Sequence, residues 1–183
     1  QKQSHSIKKN EVLDEMIIKK AVGGDLKEIA ILMKKELSKP PFNERDSINS
    51  IIKSLTFYLK KDYIYLIIDK KVIGVVVFQI EQWWGGSVII IQDLIIESNF
   101  KKQGLGRKLM KFVEHYAKKK KVKRIYFETS KKSPAVKFYQ KIVVPIDKEA
   151  KKRDENFRNT YNAKINELTK DFSGTYLAED GHI

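Results

Sequence analysis

An α/β domain with helices on both faces of a mixed sheet is what the sequence predicts, from two observations. Apolar periodicity switches repeatedly between β-branched runs and three-to-four spacing, in the order β-α-α-β-β-β-α-β-α. The length, 183 residues with 42% apolar and 10% aromatic content, suits one compact domain able to bury a core.

Residues 1–15 read as an extension, and Met16 to Ala21 as a first short strand. Gly23-Gly24-Asp25 follows as a turn, with Asp25 as a helix N-cap. Leu26, Ile29, Ala30, Leu32, Met33 and Leu37 then line one helical face, and the helix stops before Pro40-Pro41. A second helix over 44–60 turns Ile48, Ile51, Ile52, Leu55 and Tyr58 inward. Tyr63–Asp69 and Val72–Gln82 read as a hairpin joined at Asp69-Lys70-Lys71, without the favoured Asn-Gly or Asp-Gly pair. Trp83-Trp84-Gly85-Gly86 makes the next turn, where the tryptophans either line an amine pocket or pack the turn. Ser87–Glu97 is a long strand, and its unbroken apolar run from Val88 to Ile91 predicts cover on both faces. A helix from Gly104 to Lys119 carries Leu105, Leu109, Phe112, Val113 and Tyr116 along one side. A strand over Val122–Thr129 and a helix over Pro134–Lys141 close the domain, taken as 16–144. Residues 145–183 predict an atypical charged helix bearing Phe157, Tyr161, Ile165, Leu168 and Phe172, then a short strand over 174–178.

Composition excludes several chemistries. Without cysteine there is no disulfide, thiolate nucleophile or cysteine-ligated metal. His5, His115 and His182 lack metal-ligand spacing, so no metal is predicted. No run approaches the ~18 apolar residues of a membrane span, and the polar, basic start is no signal peptide. A cytoplasmic protein without a membrane partner is expected.

The net charge of +14 is uneven: residues 145–183 hold seven Lys/Arg against eight Asp/Glu, so the rest carries +15. Such a field attracts anions, a polyphosphorylated cofactor among them. The basic run Lys118–Arg124 lies at a helix C-terminus, where cations are favoured anyway, and lacks interleaved aromatics. Nucleic acid is therefore not an expected partner.

The most informative stretch runs from Asp93 to Leu109. A buried strand ends, a turn with Gly104 and Gly106 follows, and an amphipathic helix starts there. Leading helix amides and the positive dipole end bind anions, and glycines let backbone approach a phosphate. Lys101, Lys102, Arg107 and Lys108 add charge at the same point, so a diphosphate suits it. A Rossmann fingerprint would need a small residue at Leu109, and a P-loop would need Gly-Lys-Ser/Thr. A second segment, Ser133-Pro134-Ala135-Val136-Lys137-Phe138-Tyr139-Gln140-Lys141, follows the next strand.

Together these segments resemble the GNAT superfamily of N-acetyltransferases. Lys101 to Gly106 is similar to its pyrophosphate turn, Arg/Gln-x-x-Gly-x-Gly/Ala, and Ser133 to Lys141 to its Asn-x-x-Ala-x-x-Phe-Tyr-x-Lys helix. The resemblance, nearest to small-amine acetyltransferases, covers about two thirds of the chain and implies a mostly antiparallel mixed sheet.

It further implies acetyl-CoA as cofactor and a small-molecule or peptide amine as acceptor, with direct attack in a ternary complex. A homodimer is a compatible assembly. Backbone of Leu94, Ile95 and Ile96 would pair with the pantetheine arm. Amides of Lys102, Gln103, Gly104, Leu105, Gly106 and Arg107 would hold the pyrophosphate. Ser133 would meet the cofactor where the family has Asn, and Tyr139 would protonate the departing thiolate. For the base, small-amine relatives have Glu where Gln92 stands, which cannot take a proton. Asp93 is the first candidate and otherwise a structural carboxylate, with Glu81 and Glu97 behind it. A non-catalytic coenzyme A-binding regulatory module on the same fold is the alternative.

Overall fold

The computed structural model describes residues 17–84, 86–122, 124–130, 133–141 and 171–177. The elements are β1 (Ile18–Lys20), α1 (Leu26–Leu37), α2 (Ile48–Leu59), β2 (Ile64–Asp69), β3 (Lys71–Trp83), β4 (Gly86–Ile96), α3 (Leu105–Lys119), β5 (Arg124–Ser130), α4 (135–141) and β6 (Asp171–Leu177). Short 3-10 turns at Gly23–Asp25 and Ser98–Phe100 precede α1 and follow β4. The strands hydrogen-bond in sequence order. β1–β2, β2–β3 and β5–β6 are antiparallel and β4–β5 is parallel, with α3 as the crossover a parallel pair requires. The architecture is thus the expected mixed, mostly antiparallel sheet with helices. Among the described residues no helix is long and apolar enough to cross a membrane.

The chain forms two compact units. One holds the described residues up to Phe78 together with Asp93–Val113, the other Gln79–Gln92 together with the described residues from Glu114 onward.

In the first unit, side chains alternate along β2 and meet different partners on its two faces. Ile64 and Leu66 join Ile29, Ala30, Leu32 and Met33 of α1, Leu55 of α2, Val75 and Val77 of β3 and Ile95 of β4 in one buried cluster. The intervening Tyr65 packs its ring 4.5 Å from that of Phe112 on α3 and stacks on Phe78 at 5.8 Å. Helices therefore cover both faces of the strand. At Gly74 of β3 an added Cβ would lie 2.8 Å from Ile96 Cδ1, so the missing side chain lets the end of β4 close down on β3. Lys70 closes the β2–β3 turn at φ 58°, taking the left-handed conformation that Asn or Gly adopts more cheaply.

Two local expectations need correction. Asp25 is not a conventional N-cap, because the preceding 3-10 turn already holds it in helical conformation. Its carboxylate instead accepts from Val22 N–H at 2.9 Å and Lys19 Nζ at 3.1 Å. The second helix starts at Ile48 rather than 44, since Ser47 Oγ accepts from Ser50 N–H at 3.1 Å and caps it there. Glu44 is left in the loop, its N–H donating to Leu37 C=O at 3.0 Å.

In the second unit, Val88–Ile91 of β4 pair with Arg124–Phe127 of β5. Trp83, though exposed, has contacts: its ring lies 5.9 Å from Tyr126, Arg124 sits over it at 6.0 Å, and Nε1 donates to Glu81 at 3.0 Å. Trp84 is fully exposed. The short terminal strand is present but begins at Asp171, so Phe172 belongs to β6, opposite Thr129, and not to a helical stripe. Phe157, Tyr161, Ile165 and Leu168 lie outside the described residues.

Candidate active site

Between β4 and α3 the chain makes the turn that both charge and glycine spacing single out. Phe100 N–H donates to Glu97 C=O at 2.9 Å and Lys101 N–H to Ser98 C=O at 3.3 Å, which closes the 3-10 turn. Lys102 and Gly104 then both adopt left-handed backbone, φ 61° and 89°. Turn backbone of this kind can aim neighbouring N–H groups at an anion. Gly104 takes that conformation at no steric cost, whereas Lys102 must be held in it. The first helical bond is Lys108 N–H to Gly104 C=O at 3.0 Å, so the amides of Leu105, Gly106 and Arg107 precede it and have no partner within the helix. Lys102 and Arg107 are exposed beside them. Gln103 anchors the turn by donating Nε2 to Asn99 C=O at 3.1 Å. The arrangement suits a diphosphate.

Lys101 does not add its charge freely, as the sequence suggested. Its Nζ lies 2.7 Å from a carboxylate oxygen of Glu36, a buried residue of α1. Glu36 also accepts from Lys39 Nζ at 2.6 Å, Ser98 N–H at 3.1 Å and Ser98 Oγ at 2.7 Å. Burial alone would raise its pKa, but hydrogen bonds from Lys101, Lys39 and Ser98 outweigh that and hold it at about 2. Glu97, equally buried, takes Lys35 Nζ at 2.7 Å and Lys71 Nζ at 2.8 Å. The bond from Lys35, then that from Lys71, keeps it well below the usual carboxylate range. An acid stabilised in its ionised form by two ammonium groups is a poor base, which weighs against Glu97 in that role. Glu81, on β3, accepts from Gln79 Nε2 at 2.6 Å and from Trp83.

Asp93 opens the last stretch of β4 and is half-buried; Leu94, Ile95 and Ile96 follow it, past the last residue paired with β5. Burial, and then the charge of Glu44, push the Asp93 carboxyl up to about 6. Burial and the charge of Asp93 raise the Tyr58 hydroxyl in turn. Glu44 and Tyr58 thus share the Asp93 environment, and sequence reasoning gave neither a functional role. One is an unremarkable loop acid and the other an inward helical aromatic; no local pattern links them to residue 93.

Ser133 and Tyr139 belong to the second unit. Ser133 is buried, and its Oγ accepts from Ala135 N–H at 3.1 Å, so the hydroxyl caps α4. The Tyr139 ring is 6% exposed, stacks on Phe127 at 4.2 Å and meets Phe138 edge-on at 5.1 Å. The first unit brings together Asp93, Leu94–Ile96 and the turn from Lys102 to Arg107.

None of the curated proteins compared with the chain matches it. Among solved structures, a transcriptional regulator from Bacillus halodurans C-125 has a TM-score of 0.59 at 18% identity, over 69% of this chain and 91% of that one. An aminoglycoside acetyltransferase from an uncultured soil metagenomic sample, in complex with sisomicin, has a TM-score of 0.57 at 17% identity, over 71% and 88%. The NatC complex bound to Gag peptide and CoA has a TM-score of 0.55 at 19% identity, over 67% and 79%. At such identities the likeness is one of fold. The family model described as Acetyltransferase (GNAT) family matches residues 31–143, which run from within α1 through both segments. Because that match spans more than half of the chain and includes the Lys101–Gly106 turn and the Ser133–Lys141 helix, the chain belongs to the GNAT family of acetyltransferases.

Proposed function

We propose that this chain is an N-acetyltransferase that moves acetyl from acetyl-CoA to a primary amine by direct attack in a ternary complex. The observation that carries this reading is the turn from Lys101 to Lys108. Its left-handed residues, leading helix amides and exposed cations fit a pyrophosphate in a chain of this family.

Bound acetyl-CoA supplies an activated thioester, and the protein's own groups bind, orient and move protons. Amides of Lys102 through Arg107 hold the pyrophosphate, and backbone of Leu94, Ile95 and Ile96 pairs with the pantetheine arm. Ser133 contributes less there than an Asn would, because a hydroxyl has one hydrogen-bond donor where an Asn amide has two.

The acceptor arrives mostly as an ammonium of pKa ~10.4 and must lose a proton to attack. Asp93 takes that proton: with a pKa of about 6 it is ionised at neutral pH and more basic than an ordinary aspartate. Glu44 adds a second negative charge that favours a cationic acceptor. Tyr139 gives its phenolic proton to the departing thiolate.

Both small and peptidic acceptors fit this chemistry. One protein of the same fold was solved with sisomicin and another with a Gag peptide, so fold alone does not choose. Acetyl-CoA-dependent release of free thiol, measured across diamines, polyamines, aminoglycosides and peptides, tests activity and acceptor together. No thiol release with any amine, beside a normal thermal shift with coenzyme A, would favour a non-catalytic coenzyme A-binding module.

A further inference from the structure

We propose that Glu36 is a positioning residue for coenzyme A, acting through the pyrophosphate turn without touching the cofactor; this rests on the reading above. A buried carboxylate behind an anion site is unfavourable unless its charge is matched. Here it is matched by Lys39, Lys101 and both polar groups of Ser98. The pattern has a direction. Lys35 and Glu36 in the last turn of α1, and Lys39 just past its C-terminus, all bind the segment from Glu97 to Lys101. Lys35 takes Glu97, Glu36 takes Ser98 and Lys101, and Lys39 reaches Ser98 Oγ at 2.7 Å.

The backbone is therefore fixed to a rigid helix immediately before Lys102, the residue that must enter left-handed conformation. An anion site works only when its donors are held close to the productive geometry. Lys101, at the first position of the turn motif, serves as counter-ion to Glu36 and not as a phosphate ligand.

Titration of coenzyme A by calorimetry, well below the melting temperature, tests this with Glu36→Gln, Lys101→Met and the double variant. Glu36→Gln should weaken binding about tenfold, the scale of a lost charged hydrogen bond. The KM for acetyl-CoA should rise by a similar factor while kcat holds. The double variant should bind no worse than Glu36→Gln, since two residues that act as one unit are not additive.

Unchanged or tighter binding by Glu36→Gln, even with a lowered melting temperature, overturns the proposal, because the residue would then support only the fold. Additive losses overturn it too, for Lys101 would then contact phosphate itself. Should Glu36→Gln not fold, Ser98→Ala probes the same link, and wild-type affinity there rejects it. Failure of the wild-type protein to bind coenzyme A would refute the acetyltransferase reading instead.

Discussion

Asp93 ties pH to function and stability in opposite senses. Below about pH 6 its carboxyl is protonated and cannot accept the amine's proton, so acetyl transfer should rise through that range. Asp93→Asn should remove the inflexion, and its rate deficit should shrink toward the acceptor's own pKa of ~10.4. A carboxyl raised on folding binds its proton more tightly in the native state, so ionising it lowers stability as pH climbs from 3.8 through about 6. Asp93→Asn should consequently melt higher than wild type at pH 8, by about 1–2 kcal/mol after allowing for partial exposure, with little difference near pH 3.5. A pH-independent activity loss with a lowered melting point would reject Asp93 as base. For Tyr139, stacking on Phe127 depends on the ring, so Tyr139→Phe should leave the fold and coenzyme A affinity intact. Turnover should fall by about 10²- to 10⁴-fold where chemistry limits the rate. Undiminished turnover would leave Tyr139 as a packing residue.

The element that concentrates function is the turn into α3. Its glycine at φ 89° is required locally, and any side chain there strains the backbone. Gly104→Glu adds a carboxylate facing the phosphate as well. We expect a stability loss of about 1–2 kcal/mol, and complete loss of the thermal shift with coenzyme A. A full shift in that variant would move the cofactor site elsewhere. Much of this element could be read directly: glycine spacing marks the turn, and Leu105, Leu109 and Val113 mark the buried face of α3. The exact start of α2 was less visible, because Ser47 competes for the cap with residues nearer Pro41.

At the scale of the molecule, 37 Lys and Arg face 23 Asp and Glu, so each buried carboxylate matters under acid stress. Glu36 and Glu97 have pKa values lowered on folding from 4.5. Such groups stabilise the native state above their unfolded pKa, and that stabilisation is lost as pH falls through the folded value. Melting temperature should therefore hold down to about pH 5 and drop between about 4.5 and 2. Glu36→Gln should flatten that drop, as circular dichroism melts across the range will check. An equally steep fall in the variant would place the acid-sensitive group elsewhere.

The amino-acid sequence alone determined the order of elements from β1 to the helix at 135–141, the glycine turn and the family resemblance. Each of these depends on periodicity or backbone conformation within a few neighbouring residues. Tertiary structure decided what those residues do. It joined Glu36 to Lys101 across 65 positions, turning an apparent phosphate cation into a counter-ion. It raised Asp93 by burial and by the nearby charge of Glu44, laid Phe127 against Tyr139 and engaged Ser133 as a cap. Burial and long-range charge pairing arise only when distant segments meet in low dielectric, and no local pattern of residues encodes that meeting.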